Sequence, residues 1–190
     1  MPAADAEKLP VPDLATWHEW LSRHHQREAG VWVVLWRPAT GRPHPSYDEL
    51  VREALCWGWI DGQAKPLDEQ RSMLWFARRR PASLWAASNK ARVAELEAEG
   101  RLQPSGIEQI ERAKADGRWT LLDDAEALIE PAELSVALDA DPQTRARWEA
   151  LSRSVRKQAL SWIAIAKRPE TRERRIADIA ARVARGESPV

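Results

Sequence analysis

One cysteine, one tyrosine, one phenylalanine and two methionines are the scarcities of this sequence, and its formal net charge is zero. The lone Cys56 excludes an intramolecular disulfide and fits a reducing compartment. It sits on a predicted helix beside Trp57 with no base marked near it in sequence, so it reads as a small buried hydrophobe rather than a nucleophile. Zero net charge argues against wholesale nucleic-acid or membrane binding. There is no run of eighteen apolar residues, and the N-terminus has no basic segment followed by an apolar stretch. Neither membrane insertion nor export is expected, and the chain is placed in the cytoplasm. Also missing are a phosphate-cradling glycine loop, a nucleophile elbow and metal-ligand spacing. His18 and His25 can share a helix face, but Cys56 and His44 do not complete a ligand set, so no metal and no cofactor is expected.

What is present is tryptophan: eleven, which read as core positions filled with the largest ring and not as a base-stacking platform. With 44% hydrophobic residues, the 190-residue chain can bury a sizeable core. It is organised around residues 46–80. Ser46 and Glu49 have the spacing of a capping box, which predicts a helix from about Tyr47. Leu50, Val51, Ala54 and Leu55 make its apolar stripe, and Gly58 ends it just past Trp57. The segment Trp59-Ile60-Asp61-Gly62 reads as a turn-bearing loop. Asp61 is then either a carboxylate bonded to nearby backbone N–H groups or a functional one, as general base or as partner of an arginine in a cleft. Residues 73–77 read as a buried strand that delivers Arg78, Arg79 and Arg80, of which at least part must face solvent or an anion.

Before this stretch, Asp13 caps a predicted helix to about His25, Gly30 ends it, and Val31 to Trp36 reads as a strand covered on both faces. Residues 1–12 read as an extended lead-in with at most a short strand, and residues 37–45 as a loop. After it, Ser83 is read as the cap of a helix to about Glu99, closed by Gly100. A further helix from Ile107 to Asp116 is expected to form an antiparallel hairpin with it. Pro131, Pro142, Ser152 and Pro169 mark four later helix starts. Residues 111–141 hold nine acids to three bases, and residues 142–185 hold twelve bases to four acids. Either these two stretches engage each other in the folded chain or the basic helices meet an anionic partner. The expected fold is α+β and mostly helical: a small β-sheet covered by helices in residues 1–118, an acidic linker over 119–130, and a C-terminal helical module over 131–190.

Two segments, SYDELVREALCWGWIDGQ with its continuation LDEQRSMLWFARRRPASLWAASNKARV, and the terminal AKRPETRERRI, resemble the YdeI/OmpD-associated family, also described as bacteriocin-protection proteins. The resemblance runs from Gly30-Val31-Trp32 to Arg175-Ile176. Trp57 stands where the pattern has phenylalanine, and Ala77 where a proline often precedes the arginines. The resemblance implies a role in bacterial tolerance of bacteriocins or envelope-active peptides, and a porin association in some relatives. It implies no defined reaction. From the residues themselves, the first expectation is a binding or interaction protein with a small anionic ligand or a protein partner. Its candidate site residues are Trp57, Trp59, Asp61, Lys65, Arg71, Arg78, Arg79 and Asn89, with Lys65 and the arginines converging on one carboxylate or phosphate. The alternatives are an enzyme using Asp61 or Glu49 as acid/base, and nucleic-acid binding through the basic C-terminal helices.

Overall fold

The computed structural model describes residues 6–190; the first part of the extended lead-in expected over residues 1–12 lies outside them. The chain is α+β and mostly helical, and it divides into two compact units. The first comprises the described residues through Ser83 together with Ser88–Asp116; the second comprises Leu84–Ala87 and Gly117–Val190.

The first unit is built on a four-stranded mixed sheet. Strand β1 (Lys8–Pro10) runs parallel to β2 (Val31–Trp36), with helix α1 (Leu14–His24) as the crossover that a parallel pair requires. Strands β3 (Trp59–Pro66) and β4 (Arg71–Arg78) form a hairpin, and β4 inserts antiparallel between β2 and β3, giving the order β1-β2-β4-β3. The register pairs Val31 with Phe76 and Val33 with Leu74, so one face of the sheet presents a continuous buried surface. Helices α1 and α2 (Tyr47–Cys56) are joined beside it by Trp17, whose ring lies 5.0 Å from Phe76 and whose indole N–H donates to the Leu50 carbonyl at 3.1 Å. The capping box at Ser46 and Glu49 is present, and Gly58, at φ 77°, takes the left-handed turn that lets β3 begin at once. Cys56 is buried, and burial pushes its thiol up to about 11, as suits a small hydrophobe.

Four expectations need correction. Trp59-Ile60-Asp61-Gly62 is the start of β3 and not a loop; it pairs with the end of β4, Trp59 opposite Arg78 and Asp61 opposite Phe76, with a register shift between Asp61 and Ala64. Gly30 does not end α1, which closes at His25; it is small because Trp75 occupies the space above it. Ser83 is not a helix cap, since its hydroxyl accepts from the Arg80 N–H in a turn, and helix α3 starts later (Ala87–Ala98). Helix α4 (Pro104–Ala115) packs on α2 rather than pairing along α3.

The second unit is helical: α5 (Asp123–Glu126), α6 (Ala132–Asp139), α7 (Pro142–Ala150), α8 (Arg153–Ala164) and α9 (Pro169–Ala184). Helix α5 falls inside the stretch read as an acidic linker, and Ala125 on it is buried in the core with Leu134, Trp148, Ile163 and Ile179. Pro142, Ser152 and Pro169 start helices α7, α8 and α9 as expected. The acidic and basic stretches engage each other: Glu126 pairs with Lys157, Glu133 with Arg172, and both Glu130 and Asp139 with Arg145.

Candidate functional site

A cleft of about 830 Å³ opens in the first unit where β4 ends. Its lining brings Arg78, Arg79 and Arg80 together with Arg112 from α4, and also includes Trp75, Gln63 and Gln109, with Glu28 the one acid. The three consecutive arginines differ. Arg79 is buried, at 4% exposure, and burial pulls its guanidinium down to about 10 against the opposing effect of the Asp61 carboxylate, so it remains a cation at neutral pH. Arg78 is half-buried and Arg80 exposed, and neither guanidinium makes an ion pair or hydrogen bond among the described residues. Arg112 is held by Glu108 at 2.7 Å on its own helix.

The predicted site residues are dispersed. Arg78 and Arg79 line the cleft. Lys65 does not join them: its ammonium sits 4.3 Å from the Trp32 ring centroid. Arg71 is spent on Asp68 across the β3–β4 turn, at 2.6 Å. Trp59 is fully buried and donates to the His25 carbonyl at 2.8 Å, and Trp57 donates to Glu53 at 3.0 Å. Asn89 accepts from Arg92 at 3.1 Å. Asp61 accepts a 2.7 Å hydrogen bond from the Tyr47 hydroxyl instead of backbone N–H groups. Partial burial, helped by that carboxylate, pushes Tyr47 up to about 12. Asp61 thus acts on an arginine of the cleft electrostatically without lining it.

Sequence reasoning missed Trp75, Gln63, Gln109 and Arg112, and it named Arg80 in the arginine cluster without placing it among the candidate site residues. Trp75 and Ala77 stand two apart in β4, the period that puts both on one face, and this signal was available. Gln109 and Arg112 are three apart on α4 and share a helix face, but nothing in sequence ties that face to β4. Among the described residues, no three His, Cys, Asp or Glu side chains come together to hold a metal ion, and no helix is long and apolar enough to cross a membrane.

Residues 9–109, more than half of the chain, match the family model described as Domain of unknown function (DUF8412). Residues 127–186 match the one described as Bacteriocin-protection, YdeI or OmpD-Associated. The chain is a member of the DUF8412 family that carries a YdeI/OmpD-associated domain. The YdeI/OmpD-associated match takes in the terminal AKRPETRERRI segment, while the segments around Trp57 to Arg80 fall in the DUF8412 match. The cleft residues through Gln109 therefore belong to the DUF8412 part, and the named domain occupies the helical unit. No curated protein and no solved structure matches the chain.

Proposed function

We propose that this protein is a cytoplasmic ligand-binding protein whose arginine-lined cleft takes a small anion, and that its link to bacteriocin protection runs through this binding rather than through a reaction. The observation that carries the reading is the pair Arg78 and Arg80, two guanidiniums beside an open cleft with no carboxylate of their own. A guanidinium is suited to a carboxylate or phosphate, and cations crowded in sequence repel one another until an anion joins them. The enzyme reading has less support, because Asp61 is committed to Tyr47 and lies off the cleft, and Glu49 is committed to the capping box. Nucleic-acid binding also has less support: Arg145, Lys157, Arg172 and Arg185 spend their charges on acids of their own unit.

Thermal shift of the purified chain against inorganic phosphate, sulfate, citrate and ribose 5-phosphate tests the reading, with Arg78→Ala/Arg80→Ala as the control. A ligand at about one hundred times its dissociation constant adds about 2.7 kcal/mol, a shift of about 5–10 °C for a chain of this size. At least one anion is expected to stabilise the native chain and not the double variant. Equal shifts in both, or none with any anion, would contradict the proposal.

A further inference from the structure

Trp75 packs against the cluster of Trp32, Val34 and Met73, and it also lines the cleft. It stands in the middle of β4, flanked by Gly30 before β2 and by Gly62 in β3. A methyl group on Gly30 would stand 2.2 Å from the Cζ2 atom of the indole, and one on Gly62 would stand 3.0 Å from its Cδ1. The ring therefore lies close against both neighbouring strands, at two glycines. An aromatic ring laid over glycine is a known way of shielding strand backbone, and that accounts for this contact.

The rest of its setting differs from that of comparable tryptophans. The Trp36 ring is covered by Arg42 at 4.0 Å, and the Trp162 ring by Arg175 at 5.0 Å. Among the described residues Trp75 receives no cation; its ring neighbour is Trp32, at 64° and so edge-on, and Trp75 lines the same cleft as Arg78 and Arg80. The cleft, at about 830 Å³, is also far larger than a bare phosphate needs and lies in the range of small-molecule sites. Gln63, Gln109 and Glu28 add hydrogen-bond donors and acceptors around it.

We infer that the ligand is a nucleoside phosphate, with its base stacked on Trp75 and its phosphate on Arg78 and Arg80. This rests on the anion-binding reading above and adds the ring to it. A phosphate carries close to two negative charges on three oxygens, which suits two guanidiniums better than a single carboxylate does. Stacking on an aromatic side chain is tolerant of base identity, so the inference commits to the class and not to one base.

Isothermal titration calorimetry with AMP, adenosine and ribose 5-phosphate decides the matter, on the native chain, Trp75→Leu, Trp75→Phe and Arg78→Ala/Arg80→Ala. In the native chain AMP is expected to bind at least about fivefold more tightly than ribose 5-phosphate, the low end of one base stack. Trp75→Leu should bring AMP down to the affinity of ribose 5-phosphate while leaving the latter unchanged, and Trp75→Phe should keep most of the advantage. The double arginine variant should lose both phosphates. If AMP is no tighter than ribose 5-phosphate in the native chain, and the arginine variant still loses ribose 5-phosphate, the nucleoside inference is overturned and the anion site stands. If no phosphate binds the native chain, the nucleoside inference is overturned, and the anion site stands or falls on sulfate and citrate in the thermal-shift panel. The native-chain comparison decides even where Trp75→Leu does not fold.

Discussion

In the second unit, the Glu130 carboxylate accepts from Arg145, from the Trp148 indole at 2.6 Å and from the Ser135 hydroxyl at 3.0 Å. In the first, Arg78 and Arg80 line a cleft that Trp75 also lines, and neither has a carboxylate partner among the described residues. Both regions draw on arginine and tryptophan, yet one set is closed on itself and the other is open. The first unit also closes a set of this kind: Glu53, 4% exposed, takes hydrogen bonds from Trp57 and Arg101 and sits 2.7 Å from His18. A buried carboxylate without such partners would be strongly destabilising, so the closed sets are part of how each unit holds together. The open set has no such closure among the described residues, and the anion-binding proposal gives it a use.

The comparison breaks most readily at Trp148, which is fully buried in the helical core. Trp148→Ala is expected to cost about 3–5 kcal/mol, read by urea unfolding of the full chain. A cost under about 1 kcal/mol would show that the closed set is not structural.

Glu130→Gln comes next, at about 1–3 kcal/mol near neutral pH, because it leaves Arg145 short of a half-buried partner. Burial pushes the Glu130 carboxyl up, but the hydrogen bonds from Arg145, Trp148 and Ser135 outweigh it and hold the group below the usual carboxylate range. A carboxyl held low in the folded chain stabilises it above the unfolded value, and that contribution is lost as pH falls through the folded one. The native chain and Glu130→Gln should therefore differ most above about pH 5 and converge as pH falls below the usual carboxylate range, which urea midpoints across acid pH would show.

Tyr47 offers a smaller test, and as the sole tyrosine it can be followed alone by its ultraviolet absorbance. Its folded value, pushed up to about 12, exceeds the unfolded one, so its contribution is full below about pH 10 and fades as pH rises toward 12. Tyr47→Phe should remove that part of the alkaline sensitivity. Because the residue is 51% exposed, the variant should cost only about 0.5 kcal/mol at neutral pH.

The smallest stability effect is expected where the functional effect is greatest. Arg78→Ala/Arg80→Ala should move the unfolding midpoint by no more than about 0.5 kcal/mol while abolishing anion binding. A large loss of stability would place these arginines among the closed sets.

Local signals carried much of the fold. The capping box at Ser46, Gly58 at the end of α2, Asp13 and Ser152 as caps, and the unbroken apolar run of β2 all act within a few residues, and all are found. The errors arose where distant packing decided the outcome. Gly30 is small because of Trp75, forty-five positions away, and Trp59 to Pro66 becomes a strand because β4 needs a partner on its second edge. The candidate site followed the same division. Arg78 and Arg79 were legible as consecutive cations that cannot all be buried. Lys65 and Arg71 were misplaced because each had a nearer partner, Trp32 and Asp68, that charge counting does not reveal. Arg112 and Gln109 reach the cleft only through the packing of α4 on α2.

The most direct test of the open cleft is a crystal of the native chain soaked in millimolar tungstate, a heavy-atom stand-in for phosphate, with anomalous difference density measured. The account predicts a peak in the cleft within hydrogen-bond reach of both Arg78 and Arg80. Peaks confined to the basic residues of α8 and α9, with none in the cleft, would contradict it.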